Sequence, residues 1–201
     1  MSPLVRWRVS SEAAVLELGP LFVSDSGVIC LGDRSDLTGS VELTVDGLSR
    51  LSTPELTRPW SSVGGLQLRT TQLRSKRGRV LYWARTIAAA FGGITNGLSP
   101  DAYSNALFVY GPSVYDEPEK CLLPYVRRRK SYLENAIAKE FIRRIGDHEA
   151  PSSVLASAPE VMKSLVRGYR MRRWRGTVIV EVCDWYAKSI VEDSIKALTS
   201  T

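Results

Sequence analysis

A chain of 201 residues that is 44% apolar and 24% charged has enough material for one sizeable hydrophobic core, as soluble globular proteins do. Its 27 lysines and arginines outnumber its 21 aspartates and glutamates, and the formal net charge of +6 predicts attraction to nucleic acid or anionic lipid. No apolar run approaches the roughly 20 residues that a membrane-spanning helix requires, so any membrane contact is expected to be peripheral.

The first seventy residues show the alternation of apolar and polar side chains that is typical of β-strands. This alternation predicts strands at residues 5–9, 14–18, 21–23, 28–31, 41–45 and 66–70. Asp25, Ser26 and Gly27 have the short, polar composition of a hairpin loop. The region therefore predicts an antiparallel sheet.

The middle of the chain changes to helical spacing. One helix is predicted at residues 79–91, ended by two glycines, and a second is predicted to begin at Ser99 and to run toward Tyr110. Ser131 and Glu134 form a capping box, which predicts a third helix ending at Gly146. Residues 111–119 and 146–159 are rich in turn formers and predict loops.

The last part of the chain predicts a strand and a helix. Residues 177–183 are mostly β-branched and predict a strand in which Val180 and Val182 are buried. Apolar residues at three- and four-residue spacing predict a helix over 187–198. The expected fold is one compact α+β domain with helices packed on one face of an antiparallel sheet. Its expected parts are strand-rich 1–75, helix-rich 76–150 and a basic strand-helix unit at 160–198.

The sequence does not indicate an enzyme. His148 is the single histidine and lies in a polar stretch, and no glycine-flanked serine or phosphate-binding loop is present. The three cysteines are far apart, which favours a reducing, intracellular setting over secretion. We expect no catalytic residues, no metal, no cofactor and no small-molecule substrate.

Three basic clusters carry the functional prediction, because the planar guanidinium of arginine makes two hydrogen bonds to an oxyanion. A solvated surface is the alternative for each cluster. Trp174 could stack on bases, lie at a lipid headgroup boundary or pack on the core. The predicted polyanion-binding residues are Arg74, Lys76, Arg77, Arg79, Arg127, Arg128, Arg129, Lys130, Arg167, Arg170, Arg172, Arg173, Trp174 and Arg175. Residues 127–130 could also form a nuclear localisation signal.

A self-association site is predicted in the loop that follows residue 109. Tyr110, Val114 and Tyr115 place apolar side chains where a purely solvated loop would be polar. Anchoring of the loop to its own domain is the alternative.

The order of elements resembles that of the rhabdovirus matrix proteins. Pro159-Glu160 precedes the basic stretch, and a glycine, a predicted strand at 177–182, an acidic Asp184 and a helix follow it. A second similarity joins residues 41–45, Trp60 and residues 79–91, so that the two cover about half of the chain. The lysine-rich arm and the proline-tyrosine budding motif that are usual in this family are missing.

The resemblance implies a structural matrix protein that forms homo-oligomers and bridges a viral nucleocapsid or RNA to an anionic membrane. It implies a location in the host cytoplasm or nucleus and on the inner face of a virion envelope. The alternatives are an RNA-binding viral accessory protein, such as a movement protein or a silencing suppressor, and an enzyme whose site is not recognisable. Whether RNA or lipid is the polyanion stays open at this point.

Overall fold

The computed structural model describes residues 16–34, 36–50, 53–70, 105–113, 115–123, 132–172 and 180–199. The elements in these ranges form a mixed α+β fold, as the sequence predicts. The strands are β1 (Glu17–Leu18), β2 (Leu21–Val23), β3 (Ile29–Asp33), β4 (Asp36–Leu43), β5 (Gly47–Arg50), β6 (Thr53–Pro59), β7 (Gly65–Arg69), β8 (Ala106–Tyr110) and β9 (Glu119–Leu122). The helices are α1 (Tyr132–Gly146), α2 (Ala158–Arg172) and α3 (Val180–Thr199), with short 3-10 helices at Trp60–Ser62 and Ser152–Ser157.

Strands β1 to β6 form an antiparallel sheet in which each strand pairs with its neighbour in sequence. Leu31 lies opposite Val41, and Leu43 lies opposite Leu48. These side chains belong to the hydrophobic core. These four core side chains lie on one face of the sheet, as the two-residue alternation predicts, and Phe22 and Cys30 are buried on its other face.

Strands β7 to β9 form a second antiparallel sheet, in the order β7-β8-β9. Leu66, Leu68, Leu107 and Val109 alternate along β7 and β8 and join the same core. An ion pair of 2.9 Å between Arg58 Nη2 and Glu119 Oε2 connects β6 to β9.

Helices α1 and α2 pack on the sheets, and α3 packs on these two helices. Helix α1 contacts β7, β1 and α3, and helix α2 contacts the first three strands and α3. Leu133, Ile137, Phe141 and Ile145 form the buried face of α1, at the spacing of one side of a helix. Gly146 ends α1 where it meets β7, because a Cβ there would lie 2.4 Å from the backbone nitrogen of Leu66.

Helices α2 and α3 form an antiparallel hairpin with a regular register. The hydroxyls of Ser164 and Ser194 are 2.9 Å apart. One turn farther along α2, a Cβ on Gly168 would lie 2.7 Å from Ile190 Cγ2. One more turn brings the guanidinium of Arg172 over the ring of Tyr186, 5.3 Å from its centroid.

The predicted strand at 177–183 is wrong for the residues that can be compared. Helix α3 begins at Val180, and Val182 is 40% exposed rather than buried. Cys183, Ala187 and Ile190 are buried, so the helical period of the core face extends back to residue 183. Packing of this face outweighs the strand propensity of the β-branched residues, whereas residues 177–179 lie outside the described ranges.

Two further differences concern the middle of the chain. The predicted helix from Ser99 toward Tyr110 is wrong over its last five residues, because Ala106–Tyr110 is the central strand β8. The spacing of its apolar residues is compatible with either a buried helix or a strand. Pairing with β7 and β9 selects the strand. Strand β9 begins inside the predicted 111–119 loop, and the predicted elements at 5–9 and 79–91 lie outside the described residues.

The contact between Gly146 and Leu66 gives a test of how the helices are held on the second sheet. Gly146→Ala is expected to lower the free energy of unfolding by about 1–3 kcal/mol, because the new methyl group meets backbone. Urea unfolding measures this change. Gly168→Ala is the control: it meets a side-chain methyl group and gains helix propensity, so its loss should be smaller. Equal losses for both variants would contradict this account.

Candidate polyanion-binding surface

Eleven of the predicted polyanion-binding residues lie outside the described ranges. These are Arg74, Lys76, Arg77, Arg79, Arg127, Arg128, Arg129, Lys130, Arg173, Trp174 and Arg175. Val114 of the predicted self-association site also lies outside them.

Arg167, Arg170 and Arg172 lie in the last two turns of α2 and not in a loop before a strand. Arg167 and Arg170 are exposed. Arg172 is partly buried against Tyr186, and its Nη1 atom has no hydrogen-bond partner among the residues that the structure describes. The predicted arginine segment is therefore helical up to residue 172, which spaces its cations around a rigid helix.

Exposed apolar side chains lie at the same end of the hairpin. Met171 is 72% exposed, Trp185 is 63% exposed and Val182 is 40% exposed. Helical geometry places Val182 and Trp185 about one turn apart on the side of α3 that faces away from the core. Met171 follows the arginines on the corresponding outward side of α2. We call Met171, Val182, Trp185, Arg167 and Arg170 the hairpin surface.

The aromatic rings of this end are held in place by their neighbours. The rings of Trp185 and Tyr186 are 5.0 Å apart between centroids, at 64° in an edge-to-face arrangement. Arg172 covers Tyr186 from α2. Trp185 is thus supported in an exposed position and loses little conformational freedom when a ligand binds.

The opposite end of the hairpin carries neutralised charges. Lys163 pairs with Glu160 at 2.7 Å, and Lys196 pairs with Glu192 at 2.6 Å. Both ion pairs lie within a single helix. The arginines of the hairpin surface and its apolar side chains therefore distinguish one end of the hairpin from the other.

Helix α1 begins at the end where the hairpin surface lies. Tyr132, its first residue, donates a hydrogen bond of 3.4 Å to Asp184 Oδ1 in the first turns of α3. In the sequence, the basic run 127–130 stops two positions before Tyr132, and Arg173 directly follows Arg172.

Sequence reasoning missed Trp185, Val182 and Met171. A helical wheel continued back from Ala187 and Ile190 would have placed Trp185 opposite the core. The strand prediction for 177–183 prevented this reading, because it placed the start of the helix at residue 187 and not at Val180.

His148 has a structural environment. Its backbone φ is 57°, and its Nε2 atom lies 3.0 Å from the carbonyl oxygen of Val63. The bond joins the loop after α1 to the turn before β7. In the described ranges, no group of three or more His, Cys, Asp or Glu residues could hold a metal ion.

The acidic residues near His148 are occupied by arginines. Arg143 makes ion pairs with Glu140, Asp147 and Glu149, and Arg144 makes one of 2.8 Å with the largely buried Glu140. Burial alone would raise the pKa of Glu140, but hydrogen bonds from both arginines outweigh burial and lower it. The hydrogen bond from Arg143 also lowers the pKa of Glu149. Glu140 and Glu149 are therefore charged at neutral pH, which suits a structural role better than general acid catalysis. We call the ion pairs of Glu140 with Arg143 and Arg144 the clasp.

The cysteines have the environment of structural thiols. Burial, with a smaller contribution from Glu42, raises the pKa of Cys30 to about 11. Burial also raises the pKa of Cys121 and of Cys183. Each side chain is therefore a protonated thiol at neutral pH, which is a weak nucleophile.

Comparison of the chain with protein-family models, curated proteins and solved structures gave no match. Within the described part of the chain, no helix combines the length and the apolar character that are needed to cross a membrane.

The clasp around Glu140 predicts a pH-dependent stability. Glu140→Gln should lower the free energy of unfolding by about 3 kcal/mol at neutral pH, because two arginines lose a largely buried carboxylate. The pKa of Glu140 is lowered by folding, so this stabilisation exists above the unfolded pKa of about 4.3 and is lost as the pH falls through the folded pKa. Urea unfolding at neutral pH and at about pH 3.5 should show a gap that narrows in acid. A gap of equal size at both pH values would contradict the clasp.

Proposed function

We propose that this protein is a peripheral, non-catalytic structural protein that binds anionic membranes through the hairpin surface. The observation that carries the proposal is the exposure of Trp185, Met171 and Val182 beside Arg167 and Arg170. Solvated helix faces normally carry polar side chains, and isolated apolar residues are common, but three at one end of a hairpin form a patch.

The chemistry of the patch favours a lipid surface. Tryptophan is enriched at the boundary between headgroups and acyl chains, and arginine pairs with anionic headgroups. Met171 and Val182 have no ring to stack on a base, but they gain free energy when acyl chains remove them from water. The combination matches an interfacial anchor of apolar side chains flanked by cations.

In this proposal, the protein has the role of a viral matrix protein. It lines the inner face of an envelope, forms homo-oligomers and contacts the viral nucleocapsid, within the host cytoplasm. The α+β fold and the surface that carries both arginines and Trp185 support this assignment. An RNA-binding accessory protein is the second candidate, because Trp185 with Arg167 and Arg170 could also stack on bases.

Vesicle flotation tests the membrane function. The protein is expected to float with phosphatidylcholine vesicles that contain about 30% phosphatidylserine, and to float poorly with phosphatidylcholine alone. Arg167→Gln with Arg170→Gln should weaken vesicle binding about 30-fold, because each arginine contributes about 1 kcal/mol near an anionic surface. The same variant should make binding depend less on salt concentration. Trp185→Ser with Met171→Ser should weaken binding at every salt concentration, because burial of apolar surface is not screened.

The matched control removes the same charge from the opposite end of the hairpin. Lys163→Gln with Lys196→Gln should weaken binding much less, because both lysines are paired with glutamates.

Val182→Asp should stay folded, because residue 182 is exposed in the first turn of α3, yet it should lose vesicle binding. Equal weakening by both double charge variants, or full binding by Val182→Asp, would contradict the proposed surface. RNA binding that depends on Trp185, without vesicle binding, would favour the accessory protein.

Self-association is proposed through the loop after β8. Tyr115 is 96% exposed, and Tyr110 is partly exposed and donates a hydrogen bond of 2.9 Å to Gln67 Oε1. Contact with a second copy would remove the ring of Tyr115 from water. Tyrosine is enriched in such interfaces.

Light scattering at high protein concentration and low salt should detect oligomers of the unaltered chain. Tyr115→Ser should shift the distribution toward the monomer, since the ring of Tyr115 is 96% exposed. Leu37→Ser is the control, because it removes another exposed apolar side chain on β4. A strict monomer for the unaltered chain would refute assembly, and an unchanged distribution for Tyr115→Ser would refute this contact.

A further inference from the structure

The outer face of the sheet β7-β8-β9 carries aromatic and basic side chains. The inner face supplies Leu66, Leu68, Leu107 and Val109 to the core, so the alternate residues point to the other side. Neither Phe108 nor Tyr110 belongs to that core, and both are partly exposed. The outer face consists of Gly65, Gln67, Arg69, Ala106, Phe108, Tyr110, Lys120 and Leu122.

The two aromatic residues occupy the middle of this face. Phe108 lies on the central strand, directly between Gln67 on β7 and Lys120 on β9. Tyr110 is two residues farther along and lies opposite Gly65, whose Cβ position would be 3.9 Å from the Tyr110 side chain and 3.5 Å from Asp147 Oδ1. Its hydroxyl donates to Gln67 Oε1 at 2.9 Å, which fixes the ring over β7. The rings therefore have a defined position before any ligand binds.

Positive charge lies on the two outer strands of this platform. Arg69 on β7 and Lys120 on β9 are exposed on the outer face, with Lys120 beside Phe108 and Arg69 at the end away from Tyr110. Glu119 points to the inner side, where it pairs with Arg58. Asp116 and Glu117 are exposed in the loop beyond Tyr110, so the acidic end of the platform is opposite to Arg69. A polyanion would therefore lie toward Arg69 and Lys120.

We propose that this face is a binding platform for single-stranded nucleic acid, with Phe108 and Tyr110 each stacking on one base. Residues two apart on a strand are separated by about 7 Å, which is twice the roughly 3.4 Å between nucleotides along one strand of a duplex. Two neighbouring bases can each stack on one of the rings only if they are no longer stacked on each other. The bases of a paired duplex remain stacked, so a duplex is excluded. Arg69 and Lys120 supply contacts to the phosphates of the stretched strand.

This platform is separate from the hairpin surface. It uses residues of β7, β8 and β9 only, whereas the membrane proposal uses α2 and α3. Either surface could therefore fail its test without affecting the other. A protein with both would hold nucleic acid on its second sheet and lipid at the end of its helical hairpin.

Fluorescence anisotropy with a labelled uridine homopolymer of about 20 nucleotides tests the platform. Phe108→Leu with Tyr110→Leu keeps the apolar bulk of the face but removes both rings. We expect this variant to bind about 30-fold more weakly with an unchanged salt dependence, because stacking releases no counterions. Arg69→Gln with Lys120→Gln should instead reduce the slope of the logarithm of affinity against that of salt concentration by about 0.7 for each phosphate contact.

Two controls separate loss of stacking from other effects. Phe108→Trp should bind at least as tightly as the unaltered chain, because it keeps a ring at this position. Lys163→Gln with Lys196→Gln removes two cations of α2 and α3 that are paired with glutamates, and it should keep most of the affinity. Circular dichroism should show that each variant is folded. If the double leucine variant is unfolded, Phe108→Leu alone becomes the test variant, with a loss of roughly fivefold or more. A folded leucine variant that binds within about twofold of the unaltered chain, or equal binding of a duplex of the same length, would overturn the proposal.

Discussion

The close approach of helices α2 and α3 is the constraint on which the hairpin surface depends. Gly168 has no side chain, so Ile190 packs directly on the backbone of α2. The serine pair at 164 and 194 and the stacking of Arg172 on Tyr186 follow at one-turn intervals on either side. With this register set, Val182 and Trp185 face solvent while Cys183, Ala187 and Ile190 face the core. A rotation of α3 would bury the tryptophan and expose the core.

Two contacts that hold the fold lie at the end of α1 that is away from the hairpin surface. The clasp of Glu140 with Arg143 and Arg144 and the hydrogen bond of His148 to Val63 both join the end of α1 to its surroundings. Most of the remaining stability comes from apolar burial, since a single core includes residues of both sheets and all three helices. The arginines of the hairpin surface can bind a ligand without a loss of structural contacts, as exposed charges contribute little to folding.

The two proposed surfaces use different physical interactions. The hairpin surface combines arginine with aliphatic and indole side chains, and this combination suits a lipid interface. The sheet platform presents flat rings at a fixed spacing beside two cations, and this arrangement suits bases and phosphates. Both surfaces are built on regular elements, so their side chains are already in position. The sequence composition leaves open whether the polyanion is lipid or RNA. The two proposals place lipid binding on the hairpin surface and binding of nucleic acid on the sheet platform.

The sequence by itself determined the α+β class, most strands before residue 70 and helix α1, because local periodicity carries that information. It also located the arginines that end α2, although their helical state was missed. The tertiary structure alone decided that residues 106–110 form a strand and that residues 180–183 belong to a helix. In both segments the local preference is ambiguous or misleading, and only packing against distant residues selects the conformation. The exposure of Trp185 and the shared face of Phe108 and Tyr110 both depend on that choice, although a helical wheel places Trp185 opposite the core once the helix is known to begin at Val180.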